Sequence, residues 1–269
     1  MSGGGNKTAK ITGERIKEYL SKGKRFDGRG LEEFRKITIE KDISKKAEGS
    51  VRVKLGKSEV LVGVKMNVVT PYPDSQDQGV LMTTAELLPL SSERFENGPP
   101  KFPAIEMGRV IDRGLRESGF IDFKKLCIVE GEKVWNIFVD IYSINEDGNL
   151  LDAGMIGAIA ALKIATMPFY DKEEEKVDHD RKTENKIPLS EPPISVTVHK
   201  IGDNFLVDPT REEEDISEAR VTIGISGDII SSIQKGEKES IDLEDMKKVI
   251  DLAAKIAKDV KKGIDDNLK

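Results

Sequence analysis

The spacing of apolar residues changes from segment to segment along this chain, and the changes mark its elements. Val134 to Asn145 is a near-continuous apolar run rich in β-branched and aromatic residues, which predicts a buried strand. Glu146-Asp147-Gly148-Asn149 follows as a turn, since Gly and Asn supply the left-handed conformations a tight reversal needs. Leu150 to Met167 is then apolar on every face and rich in Ala and Gly. A helix of that kind packs on more than one side, so it is expected at the centre of a core. Its length would suffice for a bilayer, but Asp152 and Lys163 interrupt it and no other segment resembles a membrane span. We therefore expect no membrane partner.

Around this strand-turn-helix the pattern is shorter-ranged. Ile11, Ile16, Tyr19 and Leu20 recur at helical spacing, with Gly23 as a stop. Arg35 to Lys41, Ser50 to Leu55, Glu59 to Val69 and Gly79 to Leu88 alternate or run apolar as strands, with Gly49 and Gly56-Lys57-Ser58 as reversals. Ala104 to Ser118 is an amphipathic helix. Met107, Val110, Ile111, Gly114 and Leu115 form one face and Arg109, Arg113 and Arg116 the other. Asp171 to Lys186 is almost wholly polar and reads as a linker or exposed loop. Ile194 to Ile201, Phe205 to Val207, Ala219 to Ile225 and Asp228 to Gln234 are four more strands. A last helix is capped by Ser240 and ended by Gly263. Each half holds several strands and at least one long helix, so the layout predicts a duplicated α+β unit in layers. The predicted division is 1–30 as an N-terminal extension with its helix, 31–170 as a first half and 187–269 as a second. Met1 to Asn6 is Gly-rich and expected to be disordered.

Composition narrows the function. With 269 residues and 37% hydrophobic content the chain can bury a sizeable core, while a net charge of −6 excludes a general nucleic-acid binder. Any contact with RNA or DNA must be a local basic patch. Cys127 is the one cysteine, which excludes an intrachain disulfide and fits a reducing, cytoplasmic setting. Two histidines and one cysteine offer no structural zinc site, and no secretion signal opens the chain. We expect no metal and no cofactor.

Four motifs in order resemble the RNase PH family. They are Arg25-Phe26-Asp27-Gly28-Arg29 before the first strand, Ala104-Ile105-Glu106 opening a helix, Asn136 to Asp140 followed by Asp147-Gly148 and an Ala/Gly-rich helix, and Phe205-Leu206-Val207-Asp208 followed by an acidic stretch. The resemblance runs from about Arg25 to about Ile256. Val110 to Arg113, Lys133-Val134-Trp135 and Gly148 to Ala153 are most similar to the branch of larger, non-catalytic ring subunits in the archaeal exosome. It implies an RNase PH fold of two similar β-α-β halves, like domain 2 of ribosomal protein S5, and a six-membered ring. It also implies a catalytic RNase PH-like partner in a trimer of heterodimers, RNA-binding cap subunits, and single-stranded RNA as the shared substrate.

Active members degrade RNA from its 3′ end with phosphate as nucleophile, and arginine forks must hold two anions at once. This sequence departs from their pattern where those forks belong. Phe102-Pro103 replaces an Arg-Arg pair, Glu132-Lys133 replaces Arg-Ser, and Leu150 replaces a phosphate-gripping arginine. Of two acids six residues apart, Asp208 matches the second while Gly202 stands at the first, with Asp203 one residue away. We therefore expect no catalytic residue here. The resemblance implies RNA contact for Arg109 and Arg113, with Arg116 left structural. On the residues alone, the three arginines read equally well as a solvated helix face. Arg25, Asp27 and Arg29 read as a local salt-bridged turn, Asp208 as a hairpin residue, His179 as solvated, His199 as ordinary packing or surface, and Cys127 as buried and inert. Two alternatives remain open at this point: an independent phosphorolytic exoribonuclease with a rearranged site, and an S5-like RNA-binding scaffold.

Overall fold

The computed structural model describes residues 8–269, so the expectation for Met1 to Asn6 lies outside the described residues. Period-two alternation builds the first sheet: β1 (Ile37–Lys41), β2 (Gly49–Leu55), β3 (Ser58–Val69), β4 (Val80–Glu86), β5 (Cys127–Val129) and β6 (Lys133–Asn145). Their order is β1-β2-β3-β6-β4, with β5 on β6; β4 runs parallel to β6 and the other pairs are antiparallel. Val53 faces Val60 and Val64 faces Val139, so a single buried valine-rich surface lines one side of the sheet. Helices α1 (Lys10–Ser21), α2 (Phe102–Glu117) and α3 (Leu150–Ile164) precede a hairpin of β7 (Thr166–Asp171) and β8 (Lys176–Lys186). The second sheet, ordered β10-β9-β11-β12, is antiparallel throughout. It contains β9 (Ile194–Ile201), β10 (Asn204–Val207), β11 (Ala219–Ser226) and β12 (Ile229–Gly236). A short helix α4 (Arg211–Asp215) links β10 to β11, and α5 (Leu243–Leu268) closes the fold.

α3 lies between the sheets. It packs on β2 and β3 from one side and on β9 from another, and every residue from Asp152 to Leu162 is buried. α5 covers β9 and β11 and reaches β1. This is the layered, two-sheet α+β arrangement expected. Among the described residues, no helix is long and apolar enough to cross a membrane.

Five expectations are corrected. The central helix stops at Ile164, not Met167. Met167 precedes Pro168, where helical backbone is disfavoured, and Thr166 instead donates its N–H to the carbonyl of Glu48 at 3.2 Å. The stretch from Asp171 to Lys186 is not a loop. Most of it is β8, whose strand character comes from pairing with β7 rather than from an apolar face; Arg181 stacks 3.7 Å over the Phe169 ring across that pair. The last helix is capped by Asp242, which accepts the Asp245 N–H at 2.8 Å, and not by Ser240. Gly263 does not end it. There the helix presses on β1, and a Cβ would come within 3.0 Å of Ile37 Cδ1. Cys127 is only half-buried, at the start of the short edge strand β5.

Candidate nucleic-acid interface

Helix α2 carries the arginine stripe. Pro103 in its first turn fits a position whose N–H has no intrahelical partner. Ala104, Met107, Gly108, Ile111, Gly114 and Leu115 are buried, against β4, α3 and β12. Val110, expected on that face, is half-buried at its margin. The helix is thereby fixed on its apolar side, and Arg109, Arg113 and Arg116 point outward with exposed side chains.

The three arginines are not equivalent. Arg116 is pinned: it forks onto Asp112 through Nε and Nη2, both at 3.0 Å, and Nη2 also donates to the Leu81 carbonyl at 2.8 Å. Its guanidinium lies 5.9 Å from the Phe123 ring centroid. Asp112 additionally accepts the Thr83 hydroxyl at 3.3 Å. Six residues before Asp112, Glu106 is held by Arg220 of β11 at 2.6 Å. Among the described residues, neither the Arg109 nor the Arg113 side chain takes part in a hydrogen bond or an ion pair. Glu117, four residues after Arg113, is exposed and does not pair with it.

A second polar cluster joins the N-terminal arm to the second half of the chain. Asp208 is fully buried in a left-handed conformation, φ 48°. Its carboxylate accepts from Arg29 Nη1 at 2.8 Å, from the backbone N–H and Nε of Arg35 at 2.8 Å each, from Arg35 Nη2 at 2.7 Å and from Asn149 Nδ2 at 2.9 Å. Arg35 also donates to the carbonyls of Asp147 and Gly148. Gly148, at φ 82°, lies so close to the Pro209–Arg211 backbone that a Cβ would come 2.5 Å from the Pro209 carbonyl oxygen. Arg25 is buried against Glu213 of α4, bridged through Nη2 at 2.5 Å and Nε at 2.9 Å. Thus Arg25, Asp27 and Arg29 are not merely a local turn. The contacts of Arg29 with Asp27 and with the Glu33 carbonyl are local, while those of Arg25 and Arg29 with Val207, Asp208 and Glu213 span more than a hundred residues of chain. Asp208 is likewise the anchor of a network rather than an ordinary hairpin residue. Nothing in the apolar pattern signals these pairings, because periodicity reports which face a residue occupies and not its partner.

Buried titratable groups line the same seam. Asp152 accepts the N–H and hydroxyl of Thr197 at 3.1 and 2.7 Å, and burial pushes its carboxyl up to about 7. His199 is buried with Nδ1 3.0 Å from Ser217 Oγ; burial, and then the Arg220 guanidinium, push it down to about 3. Burial also raises Glu214, which accepts the Asn149 N–H at 3.0 Å. His179, expected to be solvated, sits on β8 with Nδ1 2.9 Å from a Glu48 oxygen that also holds Lys65. Among the described residues, no group of three or more His, Cys, Asp or Glu side chains is arranged to hold a metal.

Residues 33–168 match the 3′ exoribonuclease family, domain 1, and residues 191–256 match its domain 2. The chain belongs to the RNase PH family of 3′ exoribonucleases. It is 46% identical to the exosome complex component Rrp42 of Thermococcus onnurineus, over 95% of each chain. Its fold is similar to a chain of the Archaeoglobus fulgidus exosome with RNA bound to the active site, with TM-score 0.86 and 42% identity over 94% of this chain and 97% of that one. A chain of an archaeal exosome core is similar with TM-score 0.83 and 38% identity, over 95% and 96%. Against the family's active pattern, Phe102 is a largely exposed side chain, 74% accessible, with no charge to offer an anion. Lys133 is paired with Glu175, and Leu150 packs against the core. Gly202 forms the β9–β10 turn at φ 59°.

Proposed function

We propose that this chain is a non-catalytic ring subunit of an archaeal exosome. It pairs with a catalytic RNase PH-like subunit, and three such pairs close a ring that carries RNA-binding cap subunits. Arg109 and Arg113 hold single-stranded RNA while the partner degrades it from the 3′ end. The observation that carries the reading is the state of the family's anion site in this chain. Phosphorolysis needs fixed cations around the attacking phosphate and the terminal phosphodiester, so that a P–O bond to phosphate forms as the bond to the leaving 3′ oxygen breaks. The three places where the family's arginines are expected hold Phe102-Pro103, Glu132-Lys133 and Leu150. The one matching acid, Asp208, is consumed by Arg29, Arg35 and Asn149. Relatives bearing the exosome-component name, matched along almost their full length, support the same assignment.

Release of nucleoside diphosphates from single-stranded RNA in phosphate buffer tests the catalytic half of the reading. The isolated chain is expected to release none, and the chain co-assembled with its catalytic partner to release them readily. Phosphate-dependent release by the chain alone that Asp208→Asn abolishes, with the fold intact, would sink the proposal. The RNA half is tested by changing Arg109 and Arg113 together to Ala in the assembled ring. Affinity for RNA should fall whatever its base sequence, and the slope of log affinity against log salt should become shallower by about 0.7 for each lost contact on a single strand.

A further inference from the structure

We propose that Arg116 and Arg220 are positioning residues for this RNA grip: they occupy the two carboxylates that would otherwise neutralise Arg109. The inference rests on the reading of Arg109 and Arg113 as phosphate contacts and says what keeps them available.

On a helix, a residue's neighbours lie three and four positions away. Arg109 has Glu106 three residues before it and Asp112 three residues after it, so an acid stands on each side of its exposed face. Left to themselves these acids would pair with Arg109 and present RNA with a salt bridge instead of a cation. Each is already engaged. Asp112 is gripped bidentately by Arg116, four residues on, and Arg116 is anchored by the Leu81 carbonyl and the Phe123 ring. Glu106 is gripped from another element, by Arg220 of β11. Both guards are held in place: Arg116 is bonded to β4, and the Arg220 side chain is 14% accessible in the sheet. Arg116, with two donors on the Asp112 carboxylate, holds it better than a single solvated contact from Arg109 could. Arg220 holds Glu106 through Nη2 alone, at 2.6 Å, from a position largely withdrawn from solvent. The net result is that the two acids flanking Arg109 are engaged elsewhere while Arg109 remains open.

The test uses the assembled ring and a single-stranded RNA. Arg116→Ala should weaken binding about two- to threefold and make the salt dependence shallower, because Asp112 is released beside Arg109. Adding Asp112→Asn to Arg116→Ala should restore both affinity and slope. The single and double variants lose the same Leu81 and Phe123 contacts, so the difference between them reads only the freed carboxylate. Arg220→Ala with and without Glu106→Gln repeats the comparison on the other side. Lys258→Ala, an equal loss of charge at an exposed site on α5, should change neither quantity. If Arg109→Ala/Arg113→Ala weakens binding but Arg116→Ala does not, or if Asp112→Asn fails to rescue, the guard role is overturned and the RNA grip stands. If the Arg109/Arg113 variant itself binds normally, the RNA reading falls. A crystal structure of the Arg116→Ala chain then still decides the guard question, because Arg109 is expected to turn onto Asp112, and an Arg109 that stays clear of it would overturn the role.

Discussion

Toward the first sheet α3 presents Gly157, where its backbone approaches Val53 and Val62 closely, and the Ala161 carbonyl against Gly49, while Gly154 faces Met107 and Ile111 of α2 and Ile141 of β6. At its N-terminal end, toward sheet 2 and the arm, it presents Asn149 and Asp152 to Thr197, Asp208 and Glu214. The first contact is dry and depends on shape. The second is polar: Asp208 accepts from Arg29, Arg35 and Asn149, and Asp152 accepts from Thr197. Dry packing tolerates small slides so long as volume is filled, whereas a buried carboxylate shifted away from its arginines is left unpaired at a cost of several kcal/mol. The polar seam therefore fixes how the arm, α3 and the second sheet dock. That division suits a ring subunit, whose halves must hold a fixed relation to one another.

The most damaging change to this arrangement should be Asp208→Ala. It removes the buried counter-ion of Arg29 and Arg35, whose side chains are 11% and 9% accessible, leaving Arg29 only Asp27 and Arg35 only Asp147 at 3.5 Å, and it strands the Asn149 amide. A loss of about 3–5 kcal/mol is expected in urea unfolding, with Asp208→Asn losing less because the amide keeps the shape and part of the hydrogen bonding. A loss no greater than that of an exposed Asp→Ala control would show that the seam contributes nothing to stability.

The polar seam also makes stability depend on pH in a way the dry seam cannot. Asp152, raised to about 7 in the fold, binds its proton more tightly there than in the unfolded chain. Its contribution is full below about 3.9 and is lost as pH rises through about 7. His199, lowered to about 3, behaves oppositely: its contribution is full above about 6.5 and is lost as pH falls toward about 3. Between these limits the two slopes oppose each other. Asp152→Asn removes one of them and keeps the shape that Thr197 contacts. Relative to the parent chain the variant should therefore gain stability steadily from about pH 4 to about pH 7, by on the order of 2–4 kcal/mol across that window. Urea midpoints measured through the window check it, and a difference independent of pH would mean that Asp152 is charged throughout.

The same contrast separates what could be read from the chain from what could not. The strands of both sheets other than the three-residue β5, and the position of α3, were legible because alternation and all-round apolarity are local signals. β8 was not, because its residues are polar on both faces and only the pairing with β7 makes it a strand. The helix α4 was also missed; it is five residues long, and its capping box of Thr210 and Glu213 is hidden in an acidic run. The stripe of Arg109, Arg113 and Arg116 was visible from spacing, but Arg116 differs from its neighbours through Leu81 and Phe123, which are distant in sequence. The Asp208 network was invisible for the same reason: its arginines lie more than 170 residues away along the chain.

The smallest expected effect sharpens the dry side of the comparison, because two ordinary tendencies oppose each other there. Gly157 lies within α3, and Gly→Ala in a helix interior usually stabilises by about 1 kcal/mol. Here a Cβ would come 2.5 Å from Val62 Cγ2 and 3.4 Å from Val53 Cγ2. Val62 is fully buried and β-branched, so it cannot swing aside, and overpacking of this kind costs about 1–3 kcal/mol. The strain outweighs the propensity, and Gly157→Ala should destabilise by about 1 kcal/mol net. In a Val62→Ala background the obstructing methyls are gone, and the same Gly157→Ala should become neutral or stabilising as it fills the space they left. That reversal of sign, measured by denaturant unfolding of the four chains of the cycle, identifies close approach as what the glycine is for. Equal effects of Gly157→Ala in both backgrounds would mean that the helix does not press on the sheet there, and that the two sides of α3 differ less than their residues suggest.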